Sequence, residues 1–530
     1  MRTAGATAPV RQRIGLTRPL VPEAERPGLS AWWSLAAALA AGLALAGAFP
    51  PVGVWPLAIV GPALLVLAVR GKRPLAAFGL GLACGAVFFI GLLCWLVNVA
   101  WYAWITLAVI EALIFAVLTL ALPPLLRLPG WPLAVAGWWV AQEGLHDRWP
   151  FGGFPWGRLV MSQASAPTAG WSAIGGPPFL TFLLALAGAC LAYLYVRRTV
   201  LRAALAVLAL GAVLGGNLAW HWSPGPGPTA EVATIQGNVP HSRNLPDQLR
   251  ATTVTQNHAA ATLALAAAIK AGRRPEPDIV IWPENSTDVD PKYSPPTYDT
   301  IALAVDAINR PVLVGAVLAH HVRNAGQLWL PNRGPVQEYI KRKLVPFGEV
   351  IPFRHFLAHF TSLPTLQPVN FRAGHKAVVF HIGKIRLGDV ICYEVGFDNL
   401  VRSEVTAGAN LLTEQTNDAD FELDGQRGET LQQLQMARID AISTGRSMAV
   451  ASTIGISAII APDGAIITKS GTWQRAELEA RVPLVSAYTP ADYAGDWPEL
   501  IIIALTTFAL IWALALPYGA AERHRGHLRC

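Results

Sequence analysis

The sequence predicts an integral membrane bundle of about eight transmembrane α-helices carrying an extracytoplasmic α/β domain, and three observations point to it. The 530 residues are 53% hydrophobic and only 14% charged, with mean hydropathy +0.39, which is too apolar for an ordinary water-soluble chain. The apolar residues gather in long runs at both ends of the chain. Between them lies a block in which short β-branched runs alternate with helical patterns, as in a layered α/β domain.

Taken in order, residues 1–30 form a polar tail with Arg2, Arg11, Arg13, Arg18 and Arg26. Runs long enough to cross about 30 Å of hydrocarbon follow. They fall at 31–49, 52–69, 77–97, 102–123, 131–145, 177–196 and 201–220, and one more lies at 499–518. Arg70, Lys72, Arg73, Arg127, Arg197, Arg198 and Arg202 sit in the connections after spans two, four and six, and Arg523, Arg525 and Arg529 follow the last span. The opposite connections hold only Arg148 and Arg158. By the positive-inside rule both termini are cytoplasmic and the polar block lies outside the cytoplasmic membrane. The division is therefore a tail at 1–30, a seven-helix membrane domain at 31–222, a linker at 223–229, an extracytoplasmic domain at 230–495, an eighth span at 499–518 and a tail at 519–530. The linker contains Ser223-Pro-Gly-Pro-Gly-Pro228 and is short and stiff.

In the polar block, strand-like runs fall at Glu231–Gln236, Asp278–Trp282, Pro311–Leu318, Ala377–Ile382, Leu387–Cys392, Asn410–Thr413 and Ser457–Ala461. Helical patterns cover 249–272, 296–309 and 427–446. The formal net charge of +7 is scattered rather than gathered into a stripe, so nucleic acid is not an expected partner. Cys84, Cys94, Cys190, Cys392 and Cys530 include no Cys-x-x-Cys pair, and neither a disulfide framework nor a zinc knuckle is indicated. His355 and His359 have the i, i+4 spacing of two metal ligands but lack the companion glutamate of a metalloprotease helix. No metal and no cofactor is expected; the segment 352–360 reads instead as an amphipathic arm or a packed surface helix.

Three residues stand where α/β sheets present reactive groups. Glu284 follows the run 278–283 at a point where Pro283 ends the ladder, Lys341 follows a strand and precedes a Pro/Gly turn, and Cys392 ends the run 387–392. A thiol attacks as thiolate, so a carboxylate to take its proton and an ammonium to hold negative charge suit it. Singly, each also has an ordinary reading: a solvated glutamate, a surface lysine, a small core cysteine. In the bundle, Glu111 and Glu143 are costly in lipid and should face the interior, Glu111 in a structural hydrogen bond, while Glu143 lies near an outer loop with Trp149, Phe151, Phe154 and Trp156 suited to gripping lipid.

Pro283-Glu284, Lys341 with Leu344-Val-Pro-Phe-Gly-Glu349, and Cys392-Tyr393-Glu394 stand in the order and approximate separation of the Glu-Lys-Cys nitrilase (carbon-nitrogen hydrolase) superfamily. With the seven-plus-one spans, the chain resembles the membrane-embedded apolipoprotein N-acyltransferase family of that superfamily. Further matches are Phe49-Pro-Pro51, Phe154-Pro-Trp156, Gln236-Gly-Asn-Val-Pro240, Gln435-Met-Ala-Arg438 and Ala461-Pro-Asp-Gly464. The resemblance implies a nitrilase-like αββα sandwich on the bundle, with Cys392 as nucleophile, Glu284 as general base and Lys341 as oxyanion stabiliser. It makes Glu349 a supporting carboxylate, and Tyr393, Glu394, Asn238 and Trp156 substrate-binding residues. It further implies a phospholipid acyl donor, a diacylglyceryl-modified apolipoprotein acceptor, a bacterial cytoplasmic membrane location and a monomer. Two rivals remain at this point: a membrane-tethered amidase or nitrilase, and a non-catalytic scaffold for a lipid-linked sugar synthase. The chain departs from the family pattern after Asn417-Asp418, where Ala419-Asp420-Phe421-Glu422 stands in place of the common Ala-Trp-Phe-Gly, and at Leu245 in place of an aromatic residue. These departures bear on acceptor and lipid handling rather than on the triad.

Overall fold

A computed structural model describes residues 27–196, 200–219, 222–225, 227–240, 247–359, 369–419, 421 and 427–516. Residues 1–26 and 517–530, which hold nearly all of both tails, and the positions Leu245, Asp420 and Glu422 lie outside the described residues.

Each apolar run of the sequence is helical. The helices are α1 Ala31–Ala48, α2 Leu57–Val69, α3 Pro74–Leu92, α4 Trp101–Thr119, α5 Trp131–His146, α6 Ser172–Val196 and α7 Val200–Ala219. Among the described residues, five stretches are long and apolar enough to cross a membrane: Ala31–Ala48, Pro74–Leu92, Trp101–Leu125, Ala169–Val196 and Trp497–Ala515. Leu57–Val69 and Ala204–Asn217 are shorter apolar helices, and α5 has 16 residues with Gln142 and Glu143 on it. With no hydrophobic drive between helices in lipid, close packing must hold them, and small residues allow it. At Gly42 of α1 a Cβ would lie 2.4 Å from the Cys84 carbonyl oxygen of α3, so no larger residue fits that crossing. α6 is broken near its start, where Gly176 takes φ +82° ahead of Pro177 and Pro178.

The polar block opens with β1 Thr229–Gln236 and runs through α8 Asp247–Lys270, β2 Ile279–Ile281, α9 Pro295–Ile308, β3 Val312–Leu318, β4 Arg323–Leu330 and β5 Gly334–Ile340. It continues with β6 Val379–Ile382, β7 Ile385–Ile391, α10 Asp398–Thr406, β8 Leu411–Thr416, α11 Gly428–Thr444, β9 Met448–Ser452, β10 Ala458–Ile460, β11 Ile466–Lys469 and β12 Ala476–Pro483. Helix α12, Trp497–Ala515, follows. The strands form two six-stranded sheets in the orders β12-β1-β2-β3-β4-β5 and β11-β10-β9-β8-β7-β6. At the centre of each, three strands are parallel: β1, β2 and β3 in one, β7, β8 and β9 in the other. Parallel strands buried on both faces read as continuous apolar runs, which is why Asp278–Trp282 and Leu387–Cys392 are so visible in the sequence.

Val232, Ile281 and Leu313 of the first sheet pack on Leu387, Ile391 and Leu411 of the second. Outside the first sheet, Leu265 of α8 and Val305 of α9 cover Val280 and Val312. Outside the second, Val401 of α10 and Met436 of α11 share one core with Val390, Val450 and the bundle. The layers are helix, sheet, sheet, helix. The second helical layer thus has two faces to bury, one on its sheet and one on the loops of the bundle.

That joint is specific as well as apolar. Gln432 Nε2 of α11 donates to the carbonyls of Pro50 and Leu92 at 3.1 and 3.0 Å, and Gln432 Oε1 accepts from Trp95 Nε1 at 3.1 Å. Arg158 reaches Asp398 of α10 at 2.6 Å, and Lys343 Nζ donates to the Gly152 carbonyl at 2.5 Å. The expected linker region leads into β1 at Thr229.

Candidate active site

The strand ends built above bring Glu284, Lys341 and Glu349 into one buried cluster. Lys341 Nζ donates to Glu284 Oε1 at 2.9 Å and to Glu349 Oε1 at 3.0 Å. Asn324 Nδ2, from the neighbouring strand β4, makes the same two contacts at 2.6 and 3.2 Å. The second oxygen of Glu284 accepts from the Asn417 backbone N–H at 3.0 Å, and that of Glu349 from the Val345 N–H at 2.8 Å. Two carboxylates therefore share one ammonium and one amide, and both are held by backbone from opposite sides. Lys341 is 1% exposed and Glu284 4%, so these charges interact in a medium that screens them poorly.

Cys392 comes directly after β7 with φ +53°, a left-handed conformation that non-glycine residues seldom adopt. The turn it makes throws the chain out of the sheet beside the end of the parallel strand β8. Glu394 holds that turn. Its carboxylate accepts from the N–H groups of Ile391, Arg342 and Lys343 at 2.8, 2.6 and 2.9 Å and from the Tyr339 hydroxyl at 2.8 Å. Glu394 is wholly buried, and these bonds tie the nucleophile's turn to the segment that carries Lys341. Glu394, which the resemblance makes a substrate-binding residue, has both oxygens engaged by the chain itself.

Gln433 of α11 donates from Nε2 to Cys392 Sγ at 3.6 Å, and its Oε1 is fixed by the Thr416 hydroxyl at 2.9 Å. Burial pushes the Cys392 thiol well above its ordinary value and the negative charge of Glu284 adds to this, with Lys341 opposing both. Burial also raises the Glu284 carboxyl; Lys341 works against the rise and Glu349 with it. For Lys341, burial favours the neutral amine, but Glu284, Glu349 and Cys392 together hold the ammonium well above its usual range. Burial and Glu284 thus favour the neutral thiol at Cys392, while the two carboxylates favour the ammonium at Lys341.

On the bundle side of Cys392, Tyr393 stacks on Trp156 with centroids 5.6 Å apart and planes 14° apart, and Trp156 stacks on Phe154 at 5.1 Å. The Tyr393 hydroxyl donates to the Gly153 carbonyl at 2.6 Å. Both Trp156 and Tyr393 are buried. Asn238, at φ +71°, donates from Nδ2 to the Trp473 carbonyl at 3.2 Å and caps the end of β1, so the structure places it in a turn rather than against the triad. His359 Nδ1 meets the His355 carbonyl within one helical turn, and among the described residues no group of His, Cys, Asp and Glu could hold a metal ion.

In the bundle, Glu111 is hydrogen-bonded to His146 Nδ1. Glu143 accepts from Trp139 Nε1 at 3.0 Å, the Leu159 N–H at 2.8 Å and the Thr181 hydroxyl at 2.8 Å. Those donors make Glu143 a pin for the loop that carries Trp156. Asn324, Asn417 and Gln433 are the site residues that sequence reasoning missed. Their side-chain or backbone donors reach the triad from β4, from the end of β8 and from α11.

Two family models cover most of the chain. The apolipoprotein N-acyltransferase N-terminal domain matches residues 41–190, and the carbon-nitrogen hydrolase family matches 231–489. An apolipoprotein N-acyltransferase of Mycolicibacterium smegmatis is 34% identical over 517 residues, which span 91% of this chain and 85% of the relative. The chain belongs to the apolipoprotein N-acyltransferase family. A second member, from Azotobacter vinelandii, is 31% identical over 94% of this chain and 99% of its own length. An amidase from Nesterenkonia sp. matches with a TM-score of 0.35 at 16% identity, over 50% of this chain and 94% of its own. Membership fits a multi-pass bacterial membrane protein, and the joint between α11 and the bundle shows how this family's two domains are coupled in one chain.

Proposed function

We propose that the protein transfers an acyl chain from a phospholipid to the N-terminal amine of a diacylglyceryl-modified apolipoprotein, through a thioester on Cys392. The observation that carries this reading is the placement of Cys392: it turns out of its sheet within electrostatic reach of Glu284 and Lys341, and its neighbour Tyr393 stacks on Trp156 in a loop of an apolar helical bundle. A hydrolase of small soluble amides has no use for such a neighbour. The names of the relatives favour transfer as well, against both the hydrolase and the scaffold.

In the first half-reaction the Cys392 sulfur attacks the ester carbonyl carbon while its proton passes to Glu284. Lys341 Nζ holds the oxyanion. The ester C–O bond then breaks, Glu284 returns the proton to the leaving oxygen, and lysophospholipid departs. In the second, the acceptor's neutral α-amine attacks the thioester. Its proton goes to Glu284, the C–S bond breaks, and the thiolate takes that proton back. An amide remains on the acceptor and the enzyme is regenerated. Glu349 positions Lys341 and shares its charge.

The same proposal places both termini in the cytoplasm, eight spans in the cytoplasmic membrane and residues 230–495 on the outer side, divided from the bundle at 223–229 and working as a monomer. The arginine and lysine distribution supports it, and so do the outward apolar side chains of α12, where Leu505, Phe508, Ile511 and Leu514 are exposed. Holding both substrates in one bilayer replaces a three-dimensional search by a lateral one. The test uses purified protein and a Cys392→Ala variant with phospholipid and a diacylglyceryl-cysteine peptide, read by mass. One added acyl chain on the peptide amine, absent in the variant, is expected. Free fatty acid without peptide acylation would overturn transfer in favour of hydrolysis.

A further inference from the structure

A cavity of about 400 Å³ opens next to Glu284, and every described residue lining it comes from the catalytic domain. Two of its walls are joined directly to Glu284. Asn285 is the next residue in the chain, and Asn417 is the residue whose N–H binds Glu284 Oε2. Arg250 and Asp288 lie at its polar side, Thr453 beside Asn417, and Val254 of α8 at its apolar side.

The hydrogen bonds that fix these amides also show what they leave over. Asn285 has φ +54°, and its Nδ2 donates to Asp288 Oδ1 at 2.6 Å, so its Oδ1 is the remaining acceptor. Asn417 Oδ1 accepts from the Thr453 hydroxyl at 2.8 Å and from the Ala419 N–H at 3.2 Å, so its Nδ2 is the remaining donor. Neither remaining atom, nor the Arg250 guanidinium, has a partner among the described residues. One amide acceptor, one amide donor and a guanidinium in a single cavity match what a peptide unit presents, one N–H and one C=O.

We infer that this cavity receives the peptide residues following the lipid-modified cysteine of the acceptor, and that Asn285, Asn417 and Arg250 hold their backbone while the α-amine faces Glu284. The inference rests on the acyl-transfer reading above and gives it a direction. Donor lipid contacts the Tyr393 and Trp156 side of the nucleophile, and the acceptor peptide lies on the Glu284 side. The two half-reactions then depend on different residues. Recognition through backbone groups would also let one site serve acceptors of varied sequence.

The experiment compares a diacylglyceryl-cysteine peptide with diacylglyceryl-cysteine amide, which lacks the following residues, as acceptors for the full-length protein. The variants are Arg250→Ala and Asn285→Gly; glycine keeps the left-handed backbone at 285 and removes only the side chain. Lysophospholipid release without acceptor reports the first half-reaction and the integrity of the fold. Each variant should lose about tenfold in kcat/KM for the peptide, as for one hydrogen-bonding group removed, with little change for the amide. An unchanged ratio between the two acceptors, or equal losses on both, would overturn the cavity's role. If the unmodified protein releases lysophospholipid yet acylates neither acceptor, the acyl-transfer reading itself fails and this inference falls with it.

Discussion

The bundle and the catalytic domain both bury glutamates, and they satisfy them in different ways. Glu143 in the bundle binds an indole N–H, a backbone N–H and a hydroxyl. Glu394 behind the nucleophile binds three backbone N–H groups and a phenol. Around both, neutral donors surround a single carboxylate, and the result is a joint that holds chain segments together. Glu284 differs: it shares Lys341 and Asn324 with a second carboxylate, Glu349. On the proposed mechanism, a cation divided between two anions leaves one of them ready to take a proton. Burial alone does not separate these three glutamates; the charge of their partners does.

The comparison can be broken most sharply at Lys341. Lys341→Met leaves Glu284 and Glu349 facing each other without their cation and removes the oxyanion donor. Acyl-enzyme formation should fall by about 10²–10³, equivalent to ~2.7–4 kcal/mol, measured as the burst of lysophospholipid. A burst at the wild-type rate would show that Lys341 only pairs charge, as the neutral donors do around Glu143.

Glu143→Leu should do the reverse. Three donors lose their acceptor, which costs about 1–3 kcal/mol of stability for a buried polar group left unsatisfied. Thermal unfolding in detergent should shift down while the activity of each folded molecule changes little. A large drop in turnover at unchanged stability would move Glu143 from the structural group to the catalytic one.

The smallest effect sharpens the comparison within the site. On the proposed mechanism Glu284 accepts a proton, so activity should be present above its raised pKa and lost as pH falls through it. Glu349 contributes to that rise. Glu349→Gln should therefore move the acid limb of kcat/KM to lower pH, even if the maximum rate declines. An unmoved limb would mean that Glu349 acts on Lys341 alone.

Much of the architecture is legible in the sequence. The apolar runs at 31–49 through 201–220 and at 499–518 all correspond to helices, because an uninterrupted apolar stretch has no other way to satisfy its backbone in lipid. The parallel strands β2, β3, β7 and β8 were visible as apolar runs, whereas β4, β9, β11 and β12 have no assigned run. β11 and β12 are edge strands with partly exposed faces, and their alternating residues such as Ile466-Ile-Thr-Lys469 carry little apolar signal. Helix α10, Asp398–Thr406, was also missed; it is short and polar, and only its contact with Val390 and the bundle makes it part of the core.

For the site, order and residue type were enough to single out Glu284, Lys341 and Cys392, since few side chains can serve as base, cation and nucleophile. Sequence could not show that Glu394 faces inward to four donors, that Asn324 bridges two carboxylates from the next strand, or that Gln433 approaches the sulfur from a helix 41 residues away. Those relations depend on which strand lies beside which and on how α11 is seated between its sheet and the loops of the bundle. Hydrophobic length and periodicity are properties of neighbouring residues, so the chain itself determined its spans, its α/β alternation and its reactive groups. Hydrogen bonds between residues far apart in sequence need a fixed relative position in space, and only the tertiary structure decided them.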